Sequence, residues 1–292
     1  MLFMPRPGGT YGSVDMGCCA TLVGCSMSIK KFNRPVTMPK SNQINRWEDP
    51  DSIRWYSTPL GDLRSVTSYL KALNKPALIN WAARTTAEFF KDKLEDIKGG
   101  ILDIEEMDIN EIVFAAKQYH KEKLGTAGQR GTNVHHAIDD YYKTGKRPEE
   151  DGETKILFES FLGWEKDYNV IAKANEMTVY TDNYAGTLDL ICDIDYCPES
   201  SEGTHGVYVN DFKTGKAIYP EAGLQVAAYL YAYRKMRPAF RVDGAMITRL
   251  FSGGHEVKVY TNFQCALLFE AFECLVRHVN IMEKFNKRGA ND

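Results

Sequence analysis

No apolar run in this 292-residue chain approaches the roughly 18 residues of a membrane-crossing helix, so no membrane partner is expected. The short apolar stretch Cys18 to Cys25 follows a single basic residue, Arg6, which is not the pattern of a secretory leader. Seven cysteines make an odd set, and a chain of this size does not need a disulfide framework; free thiols in a reducing, cytoplasmic compartment are expected. There is no surplus of basic charge either, since the net charge is −3. That balance does not advertise a nucleic-acid partner. It does not exclude one, because carboxylates gathered for a metal lower the formal charge while the metal restores positive potential. Thr214-Gly215-Lys216 looks like the tail of a phosphate-binding loop, but no glycine-rich segment precedes it, and that loop is excluded. His135-His136-Ala137-Ile138-Asp139-Asp140 lacks the adjacent His-Asp pair of a His/Asp phosphohydrolase, which ranks that class low. The chain has no internal repeat.

Prolines and glycines without sustained periodicity mark residues 1 to 55 as an unstructured segment, followed by one domain over 56–288. Its first part, 56–168, reads as mainly helical. Ser65 or Thr67 can cap a helix through Leu73, and Pro76 opens a second with Leu78, Trp81, Thr85 and Phe89 on one stripe. Asp108 to Lys123 and Gln129 to Lys143 read as two further helices, the latter ended near Gly145, and Glu153 to Asp167 as a fifth. The remainder, 169–288, reads as a sheet-containing core. Strands are expected over 174–180, 184–196 and 207–213, a helix over 220–235, a hairpin around Ser252-Gly253-Gly254, and a last helix over 263–287. The class is α/β (α+β), a mixed sheet with helices and a helical N-terminal portion.

The chemistry gathers at two strands. Side chains alternate along a strand, so in Asp211-Phe212-Lys213 the acid and the amine share one face. Asp189, in Gly186-Thr187-Leu188-Asp189, lies on the polar face of a strand whose other face, Leu188, Leu190, Cys192 and Ile194, is apolar. Two hard carboxylates suit Mg²⁺ or Mn²⁺, which also take waters and substrate phosphate. Lys213 would orient or deprotonate a water, or stabilise charge on the transition state. His135 is a helix-borne candidate ligand; His136 points about 100° away and is left out. Gln225 and Tyr229, four apart on a helix, share a face and could meet substrate, Tyr229 by stacking on a base. Glu176, at a strand start, could assist a metal through water or simply be solvated. An isolated member of this set would read as a solvated acid, a surface ion pair or a core histidine. Their combination points to a metal-dependent phosphodiesterase.

The series Gly131-Thr132-x-x-His135, Glu176, Gly186-Thr187-Leu188-Asp189, Asp211-Phe212-Lys213-Thr214 and Gln225-x-x-x-Tyr229, in this order, resembles the RecB-like branch of the PD-(D/E)xK nucleases, and within it the Cas4-like exonucleases of bacteriophages. The likeness spans about residues 60 to 285 and includes Ser65 to Leu70 and Lys75 to Trp81. It implies a restriction-endonuclease-like fold and a Mg²⁺- or Mn²⁺-dependent DNA exonuclease with one or two metals per site. His135, Asp189, Asp211 and the Phe212 backbone carbonyl would bind metal, Lys213 would be catalytic, and Gln225 and Tyr229 would position DNA. It further implies a setting in phage DNA recombination, replication or degradation in the host cytoplasm, with a recombination or replication protein as partner. A ring of identical subunits threading DNA would be one route to processivity. Cas4 proteins proper hold an iron–sulfur cluster with one cysteine before the core and three after it. Here only Cys265 and Cys274 come late, so the cluster is not expected. Two alternatives stay open: a catalytically silent DNA-binding or assembly protein with the same fold, and a structure-specific endonuclease.

Overall fold

The structure, a computed structural model, describes residues 44–100, 108–149, 152–195 and 205–289. The order of elements is β1 (Asn45–Glu48), β2 (Arg54–Thr58), β3 (Gly61–Arg64), α1 (Val66–Leu70), α2 (Pro76–Lys98), α3 (Ile109–Thr144), α4 (Glu153–Asp167), β4 (Ile171–Tyr180), β5 (Ala185–Ile194), β6 (Gly206–Lys213), α5 (Pro220–Met236), β7 (Gly244–Phe251), β8 (Gly254–Thr261) and α6 (Asn262–Gly289). The larger sheet runs β4-β5-β6-β7-β8. Its neighbours are antiparallel except β6 and β7, which are parallel. A parallel pair cannot be joined by a hairpin, and α5 is the crossover that joins this one.

Strand burial follows from both faces being covered. Val209, Val226, Leu230, Ile247 and Phe272 belong to one apolar core, which brings α1, α5 and α6 against the sheet. Val134, Phe158, Phe161, Trp164, Phe212 and Leu250 belong to a second, under α3 and α4. The described residues therefore form a mixed α/β fold with two sheets and six helices. No helix among the described residues is long and apolar enough to cross a membrane.

Local signals explain the helix ends. Ser65 Oγ accepts a hydrogen bond from the Ser68 N–H at 3.0 Å, so Ser65 caps α1. Pro76 stands in the first turn of α2, and Gly145 closes α3 with φ 74°.

Three expectations need correction. The segment 1 to 55 was expected to be unstructured, but Asn45–Glu48 and the start of Arg54–Thr58 are strands; residues 1 to 43 lie outside the described residues. Those strands and Gly61–Arg64 form a separate antiparallel sheet, β1-β2-β3, which was not expected ahead of the mainly helical part. Four- and five-residue strands show too few alternations to stand out in a sequence. The expected helices 108–123 and 129–143 are one helix, α3. Gly125 and Gly128 lie between the two, but a glycine costs only about 0.5–1 kcal/mol in a helix interior, too little to interrupt 36 residues.

Candidate active site

β5 and β6 pair from Ile194↔Gly206 to Leu190↔Asn210 and then part. Asp189 and Asp211 are the next residue on each strand. Parting leaves the Phe212 N–H without a partner strand, and Asp189 Oδ2 accepts its hydrogen bond at 2.7 Å. The Phe212 carbonyl, also released, lies 3.2 Å from His135 Nε2. The other ring nitrogen of His135, Nδ1, is 3.3 Å from Asp189 Oδ1.

His135 is placed by α3. Val134, Ile138 and Tyr142 are buried at successive turns and seat that helix on the sheet. The adjoining stripe, Gly131, His135 and Asp139, then faces the end of β6. A Cβ on Gly131 would lie 3.3 Å from Thr214 Oγ1, so the helix approaches the loop after Lys213 closely there. Arg130 holds the same loop: its guanidinium donates to the Thr214 carbonyl at 3.3 Å while pairing with Glu153.

Glu176 comes from β4, the edge strand. Asn175↔Leu190 and Met177↔Leu188 place it across from Asp189. Its backbone is left-handed, φ 45°, which L-residues rarely adopt and which is found disproportionately at functional sites. The turn aims its carboxylate inward. Ligand atoms of His135, Glu176 and Asp189 all lie within 4.8 Å of one another. Together with Ile138, Asp139, Asn175 and Phe212 they line one cleft.

Asp211 is held differently from expectation. It is not one of that close trio; its carboxylate is turned to the neighbouring amine and amide. Lys213 Nζ lies 2.6 Å from Asp211 Oδ2. Gln225 bridges the two, donating to Asp211 Oδ1 at 2.9 Å and accepting from Lys213 Nζ at 3.1 Å. It also donates to the Tyr229 hydroxyl at 3.1 Å. Both amide hydrogens of Gln225 are thereby used inside the site. Tyr229 cannot stack on a base as expected, because it is 3% exposed and its ring lies over Gly186. Gln225, held by Tyr229, orients the acid and the amine.

The charges are strongly coupled. Burial pushes the Asp211 carboxyl up to about 6, with Lys213 opposing and Asp189 adding to the rise. Burial and the Asp189 charge raise Glu176 to about 7. Asp189 is also penalised by burial, yet His135 and Lys213 hold it below the ordinary carboxylate range. Burial alone would lower His135, but Asp189 outweighs this and brings it to about 9. Both nitrogens of His135 face acceptors, which suits an imidazolium. His135, Glu176 and Asp189 thus gather two acids and an imidazole around one point. A divalent cation there would offset the charge of the acids.

The sequence singled out His135, Asp189, Asp211 and Lys213, and the fold brings them together. It understated Glu176. It missed Arg130, Asp139, Asn175 and Tyr56, whose hydroxyl lies 3.0 Å from Thr187 Oγ1. Of these only Asp139, one turn after His135, carried a legible signal.

No family model matches this chain, and no curated protein does. Among solved structures, one described as "Crystal structure of SSO0001" is 11% identical and covers 49% of this chain and 74% of that chain. Its TM-score of 0.22 carries no argument about fold or function.

Proposed function

We propose that this chain is a Mg²⁺- or Mn²⁺-dependent nuclease that hydrolyses phosphodiester bonds in DNA, acting as an exonuclease, with the five-stranded sheet and its helices as a restriction-endonuclease-like core. The observation that carries this reading is the convergence of His135, Glu176 and Asp189 beside the Asp211–Lys213 pair, at the point where β5 and β6 part.

The residues fit a hard divalent cation. Asp189 and Glu176 offer oxygens, His135 a nitrogen, and the Phe212 carbonyl lies next to them. The cation would polarise the scissile phosphate and lower the pKa of a water. Lys213 remains an ammonium: burial works against its charge, but Asp211 and Asp189 outweigh burial and raise its pKa. It therefore acts as a hydrogen-bond donor to a non-bridging phosphate oxygen or to the attacking water, not as the base. Asp211 and Gln225 hold that ammonium in place. Water attacks phosphorus, the bond to the 3′ or 5′ oxygen breaks, and that oxygen leaves with a proton.

The test is digestion of end-labelled linear DNA and covalently closed circular DNA with Mg²⁺, with Mn²⁺ and with EDTA, wild type beside Lys213→Ala. The expected result is metal-dependent loss of the linear DNA alone, absent in the variant. Cutting of the circle makes the protein an endonuclease. A folded wild type that cleaves neither substrate overturns the nuclease reading.

A further inference from the structure

α6 carries two apolar faces. Cys265, Phe272, Val276 and Val279 are buried in the core it shares with α5 and the larger sheet. On the opposite side Phe263 is 73% exposed, Leu267 52%, Ile281 57% and Phe285 70%, and Cys274 between them is exposed as well. At about 100° per residue these five fall within about 40° of arc, and at 1.5 Å per residue they draw an apolar line about 33 Å long. One apolar stripe seats a surface helix on its own core. A second, contiguous and facing water, marks an interaction surface.

The line is self-complementary. Phe263 and Phe285 lie eleven residues before and after Cys274, and Leu267 and Ile281 lie seven before and after it. Two copies of α6 packed antiparallel about a two-fold axis at Cys274 therefore set Phe263 of each against Phe285 of the other, and Leu267 of each against Ile281 of the other.

The flanking charges obey the same axis. Glu270 and Arg277 lie on one flank of the line, about 40° and 60° round the helix from Cys274. They are two turns apart, about 10 Å, too far to pair within one helix. Neither has an ion-pair partner among the described residues. A two-fold axis brings the same flank of both copies together. Glu270 of each copy then comes level with Arg277 of the other, offset by about 1.5 Å along the helix.

We propose that α6 is a homodimer interface: a second copy of this chain lays its α6 antiparallel on the first, with Cys274 at the two-fold axis. The same patch is used by both copies, so the contact closes at two and does not propagate into a ring. The dimer does not rest on the nuclease reading, and its test reads mass, not cleavage.

The test is sedimentation velocity of the full chain over a concentration series. The expected result is a species of twice the chain's mass. Leu267→Glu places an unpaired acid against Ile281 twice per dimer and should raise the dissociation constant about tenfold or more. Glu270→Arg and Arg277→Glu, each at an exposed position, should each weaken the dimer about tenfold or more by setting like charges together, and the two changes in one chain should restore it. Helix axes packed 8–10 Å apart, with Cα atoms about 2.3 Å off each axis, leave the two Cys274 Cα atoms about 3.5–5.5 Å apart, within reach of a disulfide. Diamide, which takes two electrons and two protons from the paired thiols, should therefore link the copies through Cys274. Cys274→Ala should lose the link and keep the dimer. A monomer at every concentration gives this face to another occupant, a segment of the same chain or an unrelated protein, and overturns the proposal. So does a dimer that Leu267→Glu leaves intact, one that the double charge exchange fails to restore, or one that diamide does not link through Cys274.

Discussion

Gly186→Ala tests the support beneath the site. A Cβ there would lie 2.4 Å from Tyr229 Cε1, 3.2 Å from Cδ1 and 3.3 Å from Cζ. Carbon atoms in contact prefer about 3.5–4.0 Å, so the ring or β5 must shift by about 1 Å. Tyr229 has little room to yield: it is 3% exposed, and Gln225 Nε2 holds its hydroxyl at 3.1 Å. Overpacking of this kind costs about 1–3 kcal/mol. In a chain of this size each kcal/mol lowers the thermal midpoint by about 2–4 °C. The displacement also reaches the chemistry, because Tyr229 locates Gln225, and Gln225 locates both Lys213 Nζ and Asp211 Oδ1. Thermal melts should therefore show a lower midpoint. Cleavage measured well below that midpoint, where the variant is fully folded, should still fall. Tyr229→Leu in the same chain should relieve the clash, so the two changes together should cost less than their sum. Gly131→Ala is the control: its new Cβ meets a hydroxyl that can rotate, and about 0.5–1 kcal/mol of helix propensity favours it. A Gly186→Ala protein that melts within about 1 °C of wild type and cleaves normally would refute the reasoning.

Lys213→Ala leaves Asp211, 1% exposed, without its cation; breaking a buried pair from one side costs about 3–5 kcal/mol. Burial already raises the Asp211 carboxyl from 3.8 to about 6, against Lys213, so in the variant it rises further. A raised carboxyl destabilises only where the folded protein must ionise it. The loss should be small near pH 4 and grow as pH rises through 6 and above, and Asp211→Asn should be milder at pH 8. Urea melts of both variants at the two pH values check this, and an equal loss of Lys213→Ala at each would contradict it. Mn²⁺ at one hundred times its Kd should stabilise the wild type by about 2.7 kcal/mol in thermal melts, and His135→Ala should remove most of that gain. An undiminished gain would take His135 out of the ligand set. His136→Ala, an exposed position on the same helix, should change stability by no more than about 0.5 kcal/mol and leave cleavage intact. Loss of cleavage there would mean that the helix face has been misassigned.

Much of the site was legible because strand and helix periods are short-range rules. Alternation alone puts Asp211 and Lys213 on one face, and the 2.6 Å contact follows from it. The apolar run opposite Asp189 marks β5 as a covered strand whose acid must have a purpose. Glu176 could not be ranked that way. Its reach into the cleft depends on a left-handed backbone at an edge strand and on which residue of β5 lies across from it. Tyr229 offered a hydroxyl and a ring at helical spacing, which fits a substrate contact as well as a buried strut. Only the packing of α5 over Gly186 decides between them.

The order of elements from β4 onward, the capping of α1 by Ser65, the opening of α2 at Pro76 and the acid–amine pair on β6 were determined by the sequence, because each depends on residues a few positions apart. Three things were decided by tertiary structure. The strands of the small sheet gain their order from pairing with one another and from seating Tyr56 on β5. The metal-capable trio comes from α3, β4 and β5, separated by up to 54 positions in the chain. The bridging of the Asp211–Lys213 pair by Gln225 follows from α5 crossing over the sheet. In each case the physical reason is the same: contacts between elements far apart in sequence set the geometry, and no local propensity encodes where two such elements will meet.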